Sequence, residues 1–237
     1  MPIKNPWVVI PTYNERDNIK RLIESLFSLS IPRLSVLIVD DSSPDKTGEI
    51  VASMQKAFPA LHLKTRPAKA GLGRAYVAGF RYALDHGADA IVQMDADFSH
   101  DPEDLPRLLG ALESADVAIG SRYSHGISVV NWPLRRLLIS LAGNWYARIV
   151  TGIPIHDATG GFKAWKTDTL KAINFETIDA NGYGFQIAMN FRAWKTGQKL
   201  REIPIIFTER RDGQSKMNGN IVQEALLLAW RLRLTGK

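Results

Sequence analysis

The sequence predicts an α/β fold with a mainly parallel central sheet and flanking amphipathic helices. Three observations carry this expectation. Short apolar runs alternate with segments of helical period through the first half of the chain. Three of those runs end in acidic or polar turns. The length of 237 residues, 45% of them hydrophobic, suits one core of ordinary size.

The elements follow in order. Trp7 to Pro11 reads as a short buried strand, and Glu15 to Leu29 carries Ile19, Leu22, Ile23, Leu26 and Leu29 at helical spacing. Leu34 to Val39 is a second buried strand, followed by an Asp/Ser/Pro turn and a helix from Thr47 to Phe58. Leu61 to Thr65 reads as strand, Gly73 to His86 as helix, Ala90 to Met94 as strand, Pro102 to Ser114 as helix and Asp116 to Ile119 as strand. The second half is less regular: a helix or helix pair over Trp132 to Val150, a glycine-bearing loop at Asp157 to Phe162, a helix over Gly184 to Thr196 and a strand over Leu200 to Phe207.

Composition narrows the function. Without cysteine, neither disulfides nor thiolate metal ligands are available, which fits a cytoplasmic setting. Met1 to Val9 has no charged start with a long apolar run, so no signal peptide is expected. No uninterrupted apolar run reaches the roughly 18 residues of a membrane span. The net charge of +6 suits anionic lipid or a phosphate-bearing substrate. Nucleic acid is not expected as a partner, because the basic residues are not interleaved with aromatics on one surface.

The chemistry gathers at strand ends. The first strand ends in Pro11-Thr12-Tyr13-Asn14-Glu15, the second in Asp40-Asp41-Ser42, and the fourth in Asp95-Ala96-Asp97. In a parallel sheet these ends share one edge, where ligands bind. Asp95 and Asp97 offer hard oxygen ligands to Mg²⁺ or Mn²⁺, a cation that can also hold a diphosphate. Arg122, Arg136, Arg210 and Lys216 are the candidate phosphate partners, arginine because its planar fork donates two hydrogen bonds at once. Lys69-Ala-Gly-Leu-Gly-Arg opens a helix but matches no phosphate-loop pattern, and the histidines lack metal-ligand spacing.

Taken together, the segments 9–19 (VIPTYNERDNI), 39–47 (VDDSSPDKT), 94–102 (MDADFSHDP), 120–123 (GSRY), 157–162 (DATGGF), 182–186 (GYGFQ) and 209–217 (ERRDGQSKM) resemble inverting family 2 glycosyltransferases, and more narrowly the dolichol-phosphate mannose synthases. The likeness covers nearly the whole chain. It implies a glycosyltransferase-A (Rossmann-like) fold in one domain over 1–237, with 1–125 as nucleotide-sugar-binding half, 126–219 as acceptor and active-site half, and 220–237 as amphipathic tail. It implies that Pro11, Tyr13, Glu15, Ile38 and Asp40 surround the donor nucleoside. Asp95, Ala96 and Asp97 then form the metal and diphosphate site, with Ser99 where some relatives place a glutamine. Asp97, Arg122, Arg210 and Lys216 act in catalysis, and Arg136 joins the phosphate partners. The chain departs from the family at Ala188, where an acidic residue is usual.

The implied reaction moves mannose from GDP-mannose to dolichyl or polyprenyl phosphate, giving a β-linked product. A phosphate monoester is already ionised near neutral pH, so it attacks without a protein base. The alternatives are a polyprenyl-phosphate hexosyltransferase using another nucleotide sugar, and a noncatalytic nucleotide-sugar-binding relative. The glycine-containing segment 210–216 is expected to close over the diphosphate. Two amphipathic stripes, Leu134, Leu137, Leu138, Leu141 and Trp145, and Leu226, Leu227, Trp230 and Leu234, suit either the core or a membrane surface at its cytoplasmic face.

Overall fold

A computed structural model describes residues 3–180, 182–209 and 219–236 of the chain. The predicted phosphate partners Arg210 and Lys216, and the predicted closing segment that carries them, lie outside the described residues.

The first half alternates as its periodicity predicts: β1 (Pro6–Thr12), α1 (Arg16–Ser28), β2 (Ser35–Asp40), α2 (Thr47–Met54), β3 (Leu61–Thr65), α3 (Leu72–Asp85), β4 (Ala90–Gln93), a 3-10 turn (Pro102–Asp104), α4 (Leu105–Ala111) and β5 (Val117–Ser121). The second half adds β6 (Val129–Val130), α5 (Leu134–Thr151), β7 (Lys163–Lys166), α6 (Thr167–Ala172), α7 (Gly182–Lys195), β8 (Leu200–Pro204), β9 (Phe207–Thr208) and α8 (Gly219–Thr235). The helix or helix pair expected over Trp132 to Val150 is thus the single helix Leu134–Thr151, and the second helix ends at Met54, before Phe58.

Seven strands form the main sheet in the order β3-β2-β1-β4-β7-β5-β8, and β6 pairs with β9 apart from it. All neighbours in the main sheet are parallel except β7, which runs antiparallel to both β4 and β5. Helices cover both faces, so β1, β2, β4 and β5 are continuous apolar runs, buried along nearly their whole length. Two apolar layers result. Val9, Leu37, Ile91 and Val117 belong to one, with Tyr76 and Phe80 of α3. Val8, Ile10, Ile38 and Val92 belong to the other, with Ile19, Leu22 and Leu26 of α1. Gly79 lets α3 lie hard against β1, since a Cβ there would stand 2.4 Å from Val9 Cγ1.

Two features depart from the sequence reading. No element is assigned to Lys163–Lys166 from the sequence; in the structure these residues form β7, with Lys163 and Trp165 both fully buried. The last strand is predicted unbroken from Leu200 to Phe207 but divides at Pro204, which brings no N–H to a ladder.

The chain turns from β1 to β2 and β3 on one side, then returns to place β4 on the other side of β1. This reversal opens a crevice beyond the carboxyl ends of β1, β2 and β4. Among the described residues no helix is long and apolar enough to cross a membrane.

Candidate active site

Each of the three strands at the crevice runs into a tight turn with one non-glycine residue in the left-handed region: Asn14 after β1 (φ 61°), Ser42 after β2 (φ 51°) and Phe98 after β4 (φ 57°). Such backbone is costly for a bulky residue such as Phe98 and clusters at functional sites. At the first two turns the carboxylates are tied down. Asp40, almost fully buried, accepts hydrogen bonds from Thr12 Oγ1 (2.9 Å), Ser43 N (3.0 Å) and Ser43 Oγ (2.5 Å). Asp41 pairs with Arg66 at 2.9 Å; burial outweighs that pairing and raises the Asp41 pKa. Pro11, Tyr13 and Glu15 stand half-buried on the same rim, with the Lys69 ammonium 4.1 Å from the Tyr13 ring centroid. Ile38 is different: it is fully buried in the core layer beside Val8 and Ile10, beneath the rim.

At the third turn Ala96 packs into the core while Asp95 and Asp97 stay half-buried. Tyr76, inaccessible on α3, donates its hydroxyl to Asp95 Oδ1 at 3.1 Å, and Ser99 N donates to Asp97 Oδ1 at 3.0 Å. Burial and the adjacent Asp95 carboxylate raise the Tyr76 pKa well above its ordinary value, so it remains a donor. Gly161 faces Asp95: a Cβ there would lie 3.4 Å from Asp95 Oδ2. Among the described residues no group of three His, Cys, Asp or Glu could hold a cation by itself. Two carboxylates held at one turn, one of them beside a bare glycine, suit Mg²⁺ or Mn²⁺ that takes its other ligands from a diphosphate and water.

Across the crevice, at the end of β5, Arg122 is 6% exposed. Its Nε and Nη2 donate to the two carboxylate oxygens of Asp157 at 2.7 and 2.6 Å, its backbone N donates to Asp157 Oδ2, and Nη2 also reaches Thr159 Oγ1 at 2.9 Å. Burial alone would raise the Asp157 pKa, but the Arg122 charge and hydrogen bonds outweigh it and hold the carboxyl below its usual range. Arg122 and Arg136 bracket one tryptophan, their guanidinium carbons 5.6 and 4.2 Å from a Trp132 ring centroid. Arg136 is also ion-paired with Glu209. The Trp132 indole N–H is closed off from solvent and lacks a hydrogen-bond partner among the described residues. These three residues line a cavity of about 90 Å³ whose other walls include Ile139, Ser140, Tyr146, Thr159, Tyr183, Ile187 and Leu226.

His100 joins the two sides. Its buried ring stacks on Phe162 at 5.0 Å and meets the edge of Phe207 at 5.3 Å. Burial lowers its pKa despite the opposing pull of Asp95 and Asp97, so the ring is neutral.

The structure therefore gathers the predicted Asp40, Asp95, Asp97, Ser99, Arg122 and Arg136 around one edge of the sheet. Sequence reasoning gave no part to Asp157, Tyr76, Trp132 or Glu202. Glu202 accepts from Ser121 Oγ, Asp157 N and the His156 backbone and ring nitrogens at 2.7 to 2.9 Å, fixing the start of the Asp157 loop. The one sequence signal was Asp157 itself, at the head of a glycine-bearing loop.

A doubly wound sheet with paired carboxylates and a buried arginine along its strand-end edge defines an α/β protein of the kind that binds ligands at that edge. Residues 7–173 match the family model for glycosyl transferase family 2. The chain belongs to that family and is a glycosyltransferase. It is 46% identical to an undecaprenyl-phosphate mannosyltransferase of Micrococcus luteus, across 97% of this chain and 94% of that one. It is 44% identical to a polyprenol monophosphomannose synthase of Mycolicibacterium smegmatis, across 98% and 89%. A glucosyl-3-phosphoglycerate synthase from Mycobacterium tuberculosis, solved with Mn²⁺ and uridine diphosphate, shares the fold at a TM-score of 0.71 and 18% identity, over 98% of this chain and 80% of that one.

Proposed function

We propose that the protein transfers mannose from GDP-mannose to a polyprenyl or dolichyl phosphate with inversion, giving a β-linked lipid phosphate sugar. The observation that carries the acceptor is the mixed lining of this cavity, which combines the guanidinium groups of Arg122 and Arg136 with the apolar side chains of Ile139, Ile187 and Leu226 and the ring of Tyr146. A lipid phosphate has this polarity: an anionic head to meet two guanidinium groups and a branched hydrocarbon tail to lie on aliphatic and aromatic side chains. The kinship with two full-length polyprenyl-phosphate mannosyltransferases supports both sugar and acceptor.

In this reading Pro11, Tyr13, Glu15 and Asp40 hold the nucleoside, Ile38 supports the floor beneath it, and Asp95 and Asp97 hold a divalent cation, Mg²⁺ or Mn²⁺. When bound, that cation neutralises charge on the leaving diphosphate. Tyr76 and Ser99 orient the two carboxylates, and Ala96 anchors the turn in the core. Arg122, kept in place by Asp157, and Arg136, kept against Trp132, orient the acceptor phosphate, and Arg210 and Lys216 add charge to the phosphates. The acceptor oxygen forms the new bond to the anomeric carbon on the face opposite the diphosphate. The old bond breaks with its electron pair passing to the nucleoside diphosphate, so the α-linkage becomes β. No proton needs to leave the attacking oxygen, so Ala188 can stand where relatives carry an acid. The enzyme works at the cytoplasmic face of a membrane, where its exposed apolar helices meet lipid.

The test is a product assay with purified protein, polyprenyl phosphate and either GDP-mannose or UDP-glucose, the anomeric configuration being read by NMR. A β-mannosyl phosphate formed from GDP-mannose alone is expected. Turnover of UDP-glucose instead would reassign the donor, and turnover of neither would leave a binding protein.

A further inference from the structure

Lys163 is an anomaly in this core. It sits on the antiparallel strand β7, its side chain is wholly inaccessible, and no carboxylate pairs with it among the described residues. Its ammonium instead donates to Gln186 of α7, to the side-chain Oε1 at 2.8 Å and to the backbone oxygen at 3.3 Å. A protonated lysine has donors and no acceptor, so with Lys163 in its ammonium form the Gln186 amide is turned with its oxygen toward Lys163 and its NH₂ group away. On that far side lies Gly161. A Cβ on Gly161 would be 3.8 Å from Gln186 Nε2 and 3.4 Å from Asp95 Oδ2, so the amide nitrogen and the Asp95 carboxylate border the same bare backbone.

We infer that Gln186 is a donor-binding residue, its NH₂ group hydrogen-bonding an oxygen of the sugar diphosphate beside Asp95, and that Lys163 is the positioning residue that turns it there. The inference rests on the reading of this edge as the nucleotide-sugar site. The burial of Lys163 then has a purpose. A glutamine held only by packing could present either end of its amide, whereas one capped by an ammonium presents donors alone.

The experiment measures steady-state kinetics and equilibrium donor binding for the wild-type chain, Gln186→Ala, Lys163→Met, Lys163→Arg and the Gln186→Ala/Lys163→Met double variant. It uses whichever of GDP-mannose and UDP-glucose the wild type turns over, so an error in the donor's identity shows in the wild type and not in the comparison. Gln186→Ala is expected to raise the donor KM about tenfold, the scale of one hydrogen bond to a charged or strongly polar group, with the acceptor KM unchanged. Lys163→Met should do the same, the double variant should be no worse than Gln186→Ala, and Lys163→Arg, which keeps its donors, should stay near wild type. Binding of the nucleoside diphosphate alone separates the two oxygens: weakening there too points to the diphosphate, and weakening only with the sugar attached points to a sugar hydroxyl. An unchanged donor KM and kcat in Gln186→Ala would overturn the inference for Gln186. Fully additive losses in the double variant would overturn the positioning role of Lys163.

Discussion

Asp157 grips Arg122 through both carboxylate oxygens, at 2.7 and 2.6 Å, while Asp157 itself is wholly buried and Arg122 is 6% exposed. The pair fixes a guanidinium that lines the cavity between α5 and α7. Its value lies in geometry more than stability, since desolvating two charges offsets much of their attraction. Breaking it is another matter.

Removing one partner strands the other charge in the interior, at a cost of about 3–5 kcal/mol. Asp157→Ala should therefore destabilise the fold and abolish transfer, while Arg122→Lys, which keeps the charge but loses the fork, should fold and lose activity by about a hundredfold. Chemical denaturation and kcat/KM separate the two effects. An Arg122→Lys enzyme with wild-type kcat/KM would show that bidentate geometry is dispensable.

The cation prediction follows from Asp95 and Asp97. Excess chelator should stop turnover, and added Mg²⁺ or Mn²⁺ should restore it. Asp97→Asn should remain folded, because the residue is half-buried on a turn, yet lose activity by at least about a hundredfold. Tyr76→Phe tests the support of Asp95: losing one buried hydroxyl should raise the metal concentration needed for half-maximal rate several-fold. Full activity in chelator would remove the metal from the reaction.

A third prediction concerns pH. Burial lowers the Lys163 pKa from 10.5 in an exposed chain to about 7 in the fold. Because the unfolded chain binds this proton more tightly, the penalty of the buried charge is fully present below about pH 7. It is relieved as pH rises toward 10.5. The wild type should thus gain stability relative to Lys163→Met between those limits, on the order of a few kcal/mol. Denaturation midpoints of both proteins across that range check the sign. A difference that stays flat would place the Lys163 charge in a solvated environment.

Much of this was legible in the sequence because the responsible physics is local. Continuous apolar runs such as Trp7 to Pro11 can only be strands buried on both faces, and Asp95-x-Asp97 after such a run marks the binding edge. What escaped was nonlocal. Lys163 has no assigned part until Gln186, 23 residues later, supplies its hydrogen bonds. Asp157 reads as a loop residue until Arg122, 35 positions earlier, is found in its grip. Ile38 sits two residues before a site carboxylate and on the same face of β2, but one repeat back from the strand end, which places its side chain in the core layer with Val8 and Ile10.

The membrane prediction now has a surface to act on. Leu134, Leu138, Trp145 and Ile149 stand exposed at helical spacing along α5, with Trp145 67% exposed. On α8, Leu227, Trp230 and Leu234 form a second exposed row, while Ala229 and Leu232 turn inward and are buried. The two helices pack against each other, so the rows lie on neighbouring elements beside the cavity whose wall includes Leu226. An apolar stripe this long, flanked by exposed Arg135, Arg148, Arg231 and Arg233, suits insertion among anionic headgroups. Truncating α8 would strip buried side chains from the core, so point substitutions are the cleaner probe. Trp145→Glu and Leu227→Glu should each weaken co-sedimentation with anionic vesicles about tenfold, with salt weakening the wild type as well. Turnover of a water-soluble short-chain acceptor should be unaffected, since neither side chain lines the cavity. Vesicle binding that is indifferent to both substitutions would detach this face from the membrane, and the polyprenyl tail would then have to reach the cavity by another side of the molecule.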